Sequence, residues 1–393
     1  MKKHIILFSS CVLLAVGSLA QSTDNAANRN NTFAFTMLNK LYSETKNTLV
    51  SPLSISVAMA ITYEGAKGKT SKEIATVMGF DKNKKQHHVQ FVDLVQQYRD
   101  TSLHALKMNN ILMVQKDYAF NKDFIAASLD YSAMLYFANF RDDTQREAAR
   151  RGLNDWVESQ TNNTIKDLLQ PGILDNLTRL VIVNSLYFNA NWEIAFDAKK
   201  TRQMIFYSID KQVIVPFMHG REDFNYYADS LIQVLELPYS GKRFSMVVFL
   251  PKNEISLKNF IGSFTVETYN FYISQMAKHR VDVLLPSFTI SDESNLRQFF
   301  ESLGMVTAFT GYANFKGMNG KKDLMIKDVV HKTYIKVDET GTEAAGASAV
   351  VIREKSAPAE KPVFFNANRT FFYVIRDNAS NSILFAGSIN KPF

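Results

Sequence analysis

An α+β fold in one domain is what this sequence predicts, on three observations. Helical periodicity dominates the first half, strand-like runs dominate the second, and no Pro- or Gly-rich linker or repeat separates them. In the first half, Ala149, Leu153, Trp156 and Val157 share one face of a helix. Leu296, Phe299, Phe300 and Leu303 do the same, with Gly304 placed to cap the C-terminus. Later, Phe244 to Leu250 and Phe371 to Ile375 are near-continuous apolar runs, which predicts strands buried on both faces. Ile383 to Ala386 pairs with the second run through a turn at Asp377 to Ser382.

The 393 residues are 46% hydrophobic, enough for a large core, which argues against a disordered chain. Residues 1–20 read as a secretory signal. Lys2 and Lys3 form the basic start, Ile5 to Leu19 form an apolar stretch too short to span a bilayer, and Ser18-Leu19-Ala20 precedes the cleavage point at Gln21. Residues 21 to about 30 are polar and are expected to form a loose tail. No later segment reads as a membrane span. The mature chain is therefore expected to be soluble and exported: extracellular, or periplasmic or at the cell surface if the source is bacterial.

Cys11 is the only cysteine and lies inside the signal, so the mature chain would have none. That excludes disulfides, thiol catalysis and cysteine metal sites. A lipid-anchored Cys11 is the alternative, disfavoured because the apolar run continues through Val12, Leu13 and Leu14. The short signal, a mature chain without cysteines and the lack of a membrane anchor look bacterial. Net charge is +7, and losing Lys2 and Lys3 leaves +5, since residues 1–20 contain no Asp or Glu. Lys82, Lys84, Lys85, His87 and His88 form the densest basic cluster. It could bind a polyanion, but a solvated helix start is the favoured explanation.

The most informative stretch runs from Glu339 to Ala349. It follows a strand-like run, His331 to Val337, whose odd positions share a face, and almost every residue after Gly341 is small. Composition alone favours a flexible linker. Nothing in it, however, is too bulky to become a strand in a sheet. Asp328 to Val350, DVVHKTYIKVDETGTEAAGASAV, closely resembles the strand-plus-hinge signature of the serpins. Serpins trap proteases by inserting a cleaved loop into a β-sheet. Further segments resemble the family in the right order: Asn47 to Ile55, Gly65 to Ile74, Leu153 to Leu169, Leu180 to Asp197, Val234 to Pro251, Leu285 to Met305 and Leu384 to Gly387. Both tryptophans, Trp156 and Trp192, fall inside these segments.

The resemblance implies a serpin fold of about three sheets and eight or nine helices, with an exposed reactive-centre loop at about residues 340–362. It implies a hinge formed by Glu339, Gly341, Thr342, Glu343, Ala344, Ala345, Gly346, Ala347 and Ser348. On insertion Thr342, Ala344, Gly346 and Ser348 would share the inward face, and all are small. Gly346 departs from the usual alanine and Thr340 from the frequent glutamate. The family's spacing from Gly341 puts the scissile bond at Lys355–Ser356, which suits a trypsin-like protease. Arg353, before Glu354, is the second candidate. Val350, Val351 and Ile352 would suit elastase- or subtilisin-like enzymes.

Ser51, Ser54, Asn184 and His331 match the family's shutter, where side-chain hydrogen bonds hold the central strands together. Trp192 and Glu339 match the region where the loop enters the sheet. The family often pairs that glutamate with a lysine where this chain has Ser287, so Glu339 must find another partner or stay solvated. The implied partner is a serine protease held covalently, with cysteine proteases a further target class. The resemblance implies a monomer, with no catalytic residue, cofactor or nucleic-acid partner. A non-inhibitory binding protein of the same fold is the alternative. A hydrolase using His331 is disfavoured, because no GxSxG or HExxH motif accompanies it. Gly68-Lys69-Thr70 lacks the glycine of a phosphate loop at Tyr63. Asn176-Leu177-Thr178 and Asn368-Arg369-Thr370 are glycosylation sequons by pattern only.

Overall fold

The computed structural model describes residues 10–99, 105–252, 254–342 and 361–392. In this range there are ten α-helices, against the expected eight or nine. They are α1 (Ser10–Leu41), α2 (Pro52–Gly65), α3 (Gly68–Met78), α4 (Lys84–Gln96), α5 (Lys122–Asp130), α6 (Asp143–Gln160), α7 (Leu257–Ser263), α8 (Val266–Gln275), α9 (Arg297–Ser302) and α10 (Lys316–Asn319). The strands of the first half are β1 (Thr48–Val50), β2 (Leu106–Gln115), β3 (Ala133–Ala138), β4 (Leu180–Phe188) and β5 (Ala190–Asn191). Then follow β6 (Arg202–Tyr207), β7 (Gln212–Ala228), β8 (Ile232–Pro238), β9 (Phe244–Pro251), β10 (Ala277–Pro286) and β11 (Phe288–Asn295). The last are β12 (Val330–Val337), β13 (Gly341–Thr342), β14 (Val363–Asn366), β15 (Phe371–Asp377) and β16 (Ile383–Ile389).

The largest sheet runs β1-β16-β15-β9-β8-β7-β10-β14, with β6 paired to β7. Its centre is the core. Every residue of β9, β15 and β16 is buried, as continuous apolar runs require. Aromatic side chains fill its outer face: Phe249 stacks on Phe372 at 4.6 Å, and Phe35 of α1 meets Phe264 and Tyr269 at 5.0 and 5.4 Å. Helix α2 is apolar all round, and 12 of its 14 residues are buried, because it lies between sheets and touches both β16 and β4.

The remaining strands form two smaller sheets, β3-β2-β4 and β11-β12-β13-β5. Only Asn189 separates β4 from β5, so these are two halves of one surface joined at one end. The two-residue strand β13 is the join, pairing with β5 on one side and with Val337 of β12 on the other. Below it, no ladder connects β4 to β12 among the described residues. Helix α6 and the segment after it cover the outer face of β2 and β4, packing Leu153, Val157 and Leu168 against Ile111, Met113 and Val183.

One expectation is corrected. Residues 21–30 are not a loose tail but part of α1, with Ala26, Ala27, Asn30 and Asn31 buried. The asparagines tie this end of the helix to the β15–β16 turn. Asn30 Nδ2 donates to the Ile383 carbonyl (2.8 Å), Asn31 Nδ2 donates to the Asn381 carbonyl (2.7 Å), and Asn31 Oδ1 accepts from the Ile383 amide (2.8 Å). Among the described residues no helix is long and apolar enough to cross a membrane.

Candidate functional site

Strand β13 enters the sheet under tight steric limits. It sets Gly341 opposite Asn191 and Thr342 opposite Ala190. A Cβ on Gly341 would lie 2.1 Å from the Ala190 carbonyl oxygen and 2.7 Å from the Asn191 Cα, so only glycine fits this approach. Gly341→Ala is expected to push β13 off β5 at a cost of about 2 kcal/mol. Hydrogen exchange of residues 190–192 and 341–342 checks this: exchange should accelerate there and stay unchanged in β9. Unchanged exchange at the join would refute the steric account.

Thr342 is 1% exposed, and its hydroxyl lies 2.5 Å from the Tyr239 hydroxyl. Tyr239 stacks on Trp192 (4.5 Å between centroids, 10° between planes) and meets Phe188 edge-on at 4.9 Å. Burial holds the Tyr239 phenol protonated far above its ordinary range. Trp192 clasps the chain entering β13. Its amide donates to the Thr340 carbonyl and its Nε1 to the Asp338 carbonyl, both at 2.9 Å. The Phe196 amide donates to the Glu339 carbonyl at 2.9 Å. The Glu339 carboxylate accepts from the Thr201 hydroxyl at 2.6 Å, which supplies the partner that Ser287 cannot. Sequence reading assigned no role to Tyr239 or Thr201. Tyr239 lay inside a matched segment, and nothing local marks Thr201.

The four shutter positions fall into two separate pairs, both anchored on α2. On the β12 side, His331 Nε2 accepts the Ser51 amide at 3.0 Å. On the β4 side, the Ser54 hydroxyl donates to Asn184 Oδ1, and Asn184 Nδ2 donates to Asn110 Oδ1 of β2. No hydrogen bond joins Asn184 to His331 among the described residues, so each wall is tied to the floor and not to the other wall. His331 is buried, and burial pushes its imidazole down to about 4. Between the walls lies a cavity of about 610 Å³ lined by both strands and α2.

The basic cluster is mostly turned inward. Lys84 Nζ donates to the Tyr63, Glu64 and Ala66 carbonyls at the C-terminal end of α2, and burial pulls its ammonium down to about 8. His87 is fully buried among Tyr63, Phe80 and Phe91, and burial pushes it down to about 3. His88 lies between Glu64 (3.0 Å) and Asp130 (3.2 Å), and its hydrogen bond to Glu64 raises it. Only Lys82 and Lys85 of the five face solvent, a poor surface for a polyanion. The remaining hinge positions (Glu343, Ala344, Ala345, Gly346, Ala347 and Ser348) and both candidate bonds (Lys355–Ser356 and Arg353–Glu354) lie outside the described residues.

A glycine wedged into the single-strand join of two half-sheets, above a slot between them, points to a class of protein, and comparison with known proteins agrees with it. The family model described as "Serpin (serine protease inhibitor)" matches residues 28–392. A serpin-like protein of Thermococcus kodakarensis is 36% identical over 92% of this chain and 84% of its own length. The leukocyte elastase inhibitor of Xenopus laevis is 34% identical over 92% of this chain and 97% of its own length. The crystal structure of human thyroxine-binding globulin aligns with a TM-score of 0.83 at 26% identity, covering 94% of this chain and 99% of that one. The chain belongs to the serpin family.

Proposed function

We infer that this chain is an exported suicide inhibitor of serine proteases, with trypsin-like enzymes first among its targets. One observation carries this: β13 is already paired at the top of a slot whose walls share no ladder below it. A slot without a ladder can accept a further strand, and the small residues that follow Thr342 in the sequence support the reading that the hinge supplies it.

The protease serine attacks the Lys355 carbonyl, the Lys355–Ser356 C–N bond breaks, the Ser356 amine leaves with a proton, and an acyl-enzyme remains. The freed loop then extends β13. Six residues beyond Thr342 is Ser348, and six residues back from Ala190 and Val337 are Asn184 and His331. A continued register therefore brings the Ser348 hydroxyl level with both separated shutter pairs. Val350 and Ile352, on the face of Thr342, would reach the levels of Ile182 and Leu180, which line the cavity. Filling it with apolar side chains supplies part of the driving force. The tethered protease is carried to the far end and distorted before it can deacylate.

Mixing the mature chain with trypsin and running a denaturing gel tests this. The expected result is a band at the summed mass and a released fragment beginning at Ser356. Clean cleavage by trypsin-, elastase- and subtilisin-like enzymes, with no rise in melting temperature, would refute inhibition. A non-inhibitory protein of the same fold that binds a ligand, as thyroxine-binding globulin by its name binds thyroxine, would then replace it.

A further inference from the structure

We propose that the slot between β4 and β12 is a binding site for an elongated, uncharged apolar small molecule of the long-chain alcohol type, and that its occupation keeps the loop out. Helix α2 makes the floor with Ser54, Ile55, Ala58, Met59 and Thr62, a spacing that turns one helical face to the cavity. Leu180, Ile182 and Val330 line its sides. The floor hydroxyls are already satisfied: Ser54 donates to Asn184, and the Thr62 hydroxyl donates to the Ala58 carbonyl at 2.8 Å. A ligand therefore meets an apolar floor that asks for no hydrogen bond, while the slot-facing backbone edges of β4 and β12, which share no ladder among the described residues, are left to pair with its single hydroxyl, in a cavity of about 610 Å³.

The rim selects against charge. Its cations are Arg179, Lys322 and Lys327, and its anions are Asp175, Asp323 and Asp328, so the charges cancel. Lys327 is held by Asp175 at 2.9 Å. A charged head group finds no net field here. An apolar path to solvent exists, since Leu177 and Met325 line the same cavity yet are 74% and 58% exposed. The regulatory consequence rests on the loop-insertion mechanism above, because the loop and the ligand compete for one slot. Binding itself does not.

Titration of the uncleaved full chain with 1-decanol, followed by calorimetry and melting temperature, tests the site. Saturable one-to-one binding that raises the melting temperature is expected, with decanoate and decyltrimethylammonium at least about tenfold weaker. Ala58→Trp, which fills the floor, should abolish binding. The double variant Leu177→Asp, Met325→Asp changes only the exposed rim and should weaken it. Bound decanol should also raise the number of inhibitor molecules consumed per trypsin. No saturable binding, equal binding of the charged analogues, or binding indifferent to both variants would overturn the proposal. Cleavage of the loop should both raise the melting temperature and abolish decanol binding. If cleavage leaves the melting temperature unchanged, it is the inhibitor mechanism that fails, and the site is still decided by the two variants.

Discussion

If the chain traps trypsin as proposed, Thr342→Arg should turn it from an inhibitor into a substrate: the loop should still be cleaved, but the covalent band should disappear. Thr342 is 1% exposed, within the join itself and against Tyr239, with Phe188 and Trp192 packed around that ring. Aromatic rings pack around this position, and a buried charge left unpaired there costs on the order of 3–5 kcal/mol. Since about 1.4 kcal/mol is tenfold, trapping should fall at least ~100-fold relative to deacylation. Thr342→Val keeps the shape and loses only the bond to Tyr239, so it should retain most of the complex. Quantitative gels and inhibition stoichiometry measure both. A complex yield from Thr342→Arg equal to that of the parent would refute the role of the hinge.

Acid should weaken the protein well above the range in which its carboxylates titrate, and His331 should carry much of the effect. Its imidazole is depressed to about 4 against an ordinary value of 6.5, because burial disfavours the cation. The unfolded chain therefore takes up this proton first as pH falls. The contribution is fully present above about pH 6.5 and is lost progressively between 6.5 and 4. The full loss is on the order of 3 kcal/mol, and about 2 kcal/mol of it falls between pH 6.5 and 5. Protonation at Nε2 would also remove the acceptor of the Ser51 amide and set a cation at the N-terminus of α2, the positive end of its dipole. His87 adds a loss of the same sign. His88 opposes it: its raised value adds stability below the ordinary range, lost as pH rises through the folded value. Melting temperatures at pH 7 and 5, at one scan rate, check this for the parent and His331→Gln. The variant should lose a large part of the pH dependence. An identical slope would show that His331 stays neutral for some other reason or does not matter.

The sequence carried a great deal of this. Buried strands at Phe244 to Leu250 and Phe371 to Ile375, the helix containing Leu153 and Val157, and the cap at Gly304 (φ +99°) were legible, because each signal repeats within a few residues. So was the small-residue composition after Gly341. Signals read locally also misled. Asn30 read as part of a loose tail, and Lys84 and His87 read as part of a solvated helix start, which is a helix start but is not solvated at these two positions. Their partners lie far away in the chain or are backbone carbonyls, which leave no mark in hydropathy.

By itself, then, the sequence determined the α+β class, the buried apolar runs within β9 and β15 and a small-residue segment after Gly341, while the strands of the first half and the late helices α7, α8 and α10 escaped it. Periodicity, caps and side-chain size are properties of neighbouring residues. Only the tertiary structure decided that, among the described residues, the sheet is split and β13 is its single join. It also decided that the shutter groups bond in two pairs through α2, and that Glu339 turns to Thr201. These depend on contacts such as Ser51 with His331, 280 residues apart, and Asn30 with Ile383, 353 apart. Which of several eligible donors an acceptor meets is fixed by the packing of α2 between sheets, and that packing is a property of the whole core.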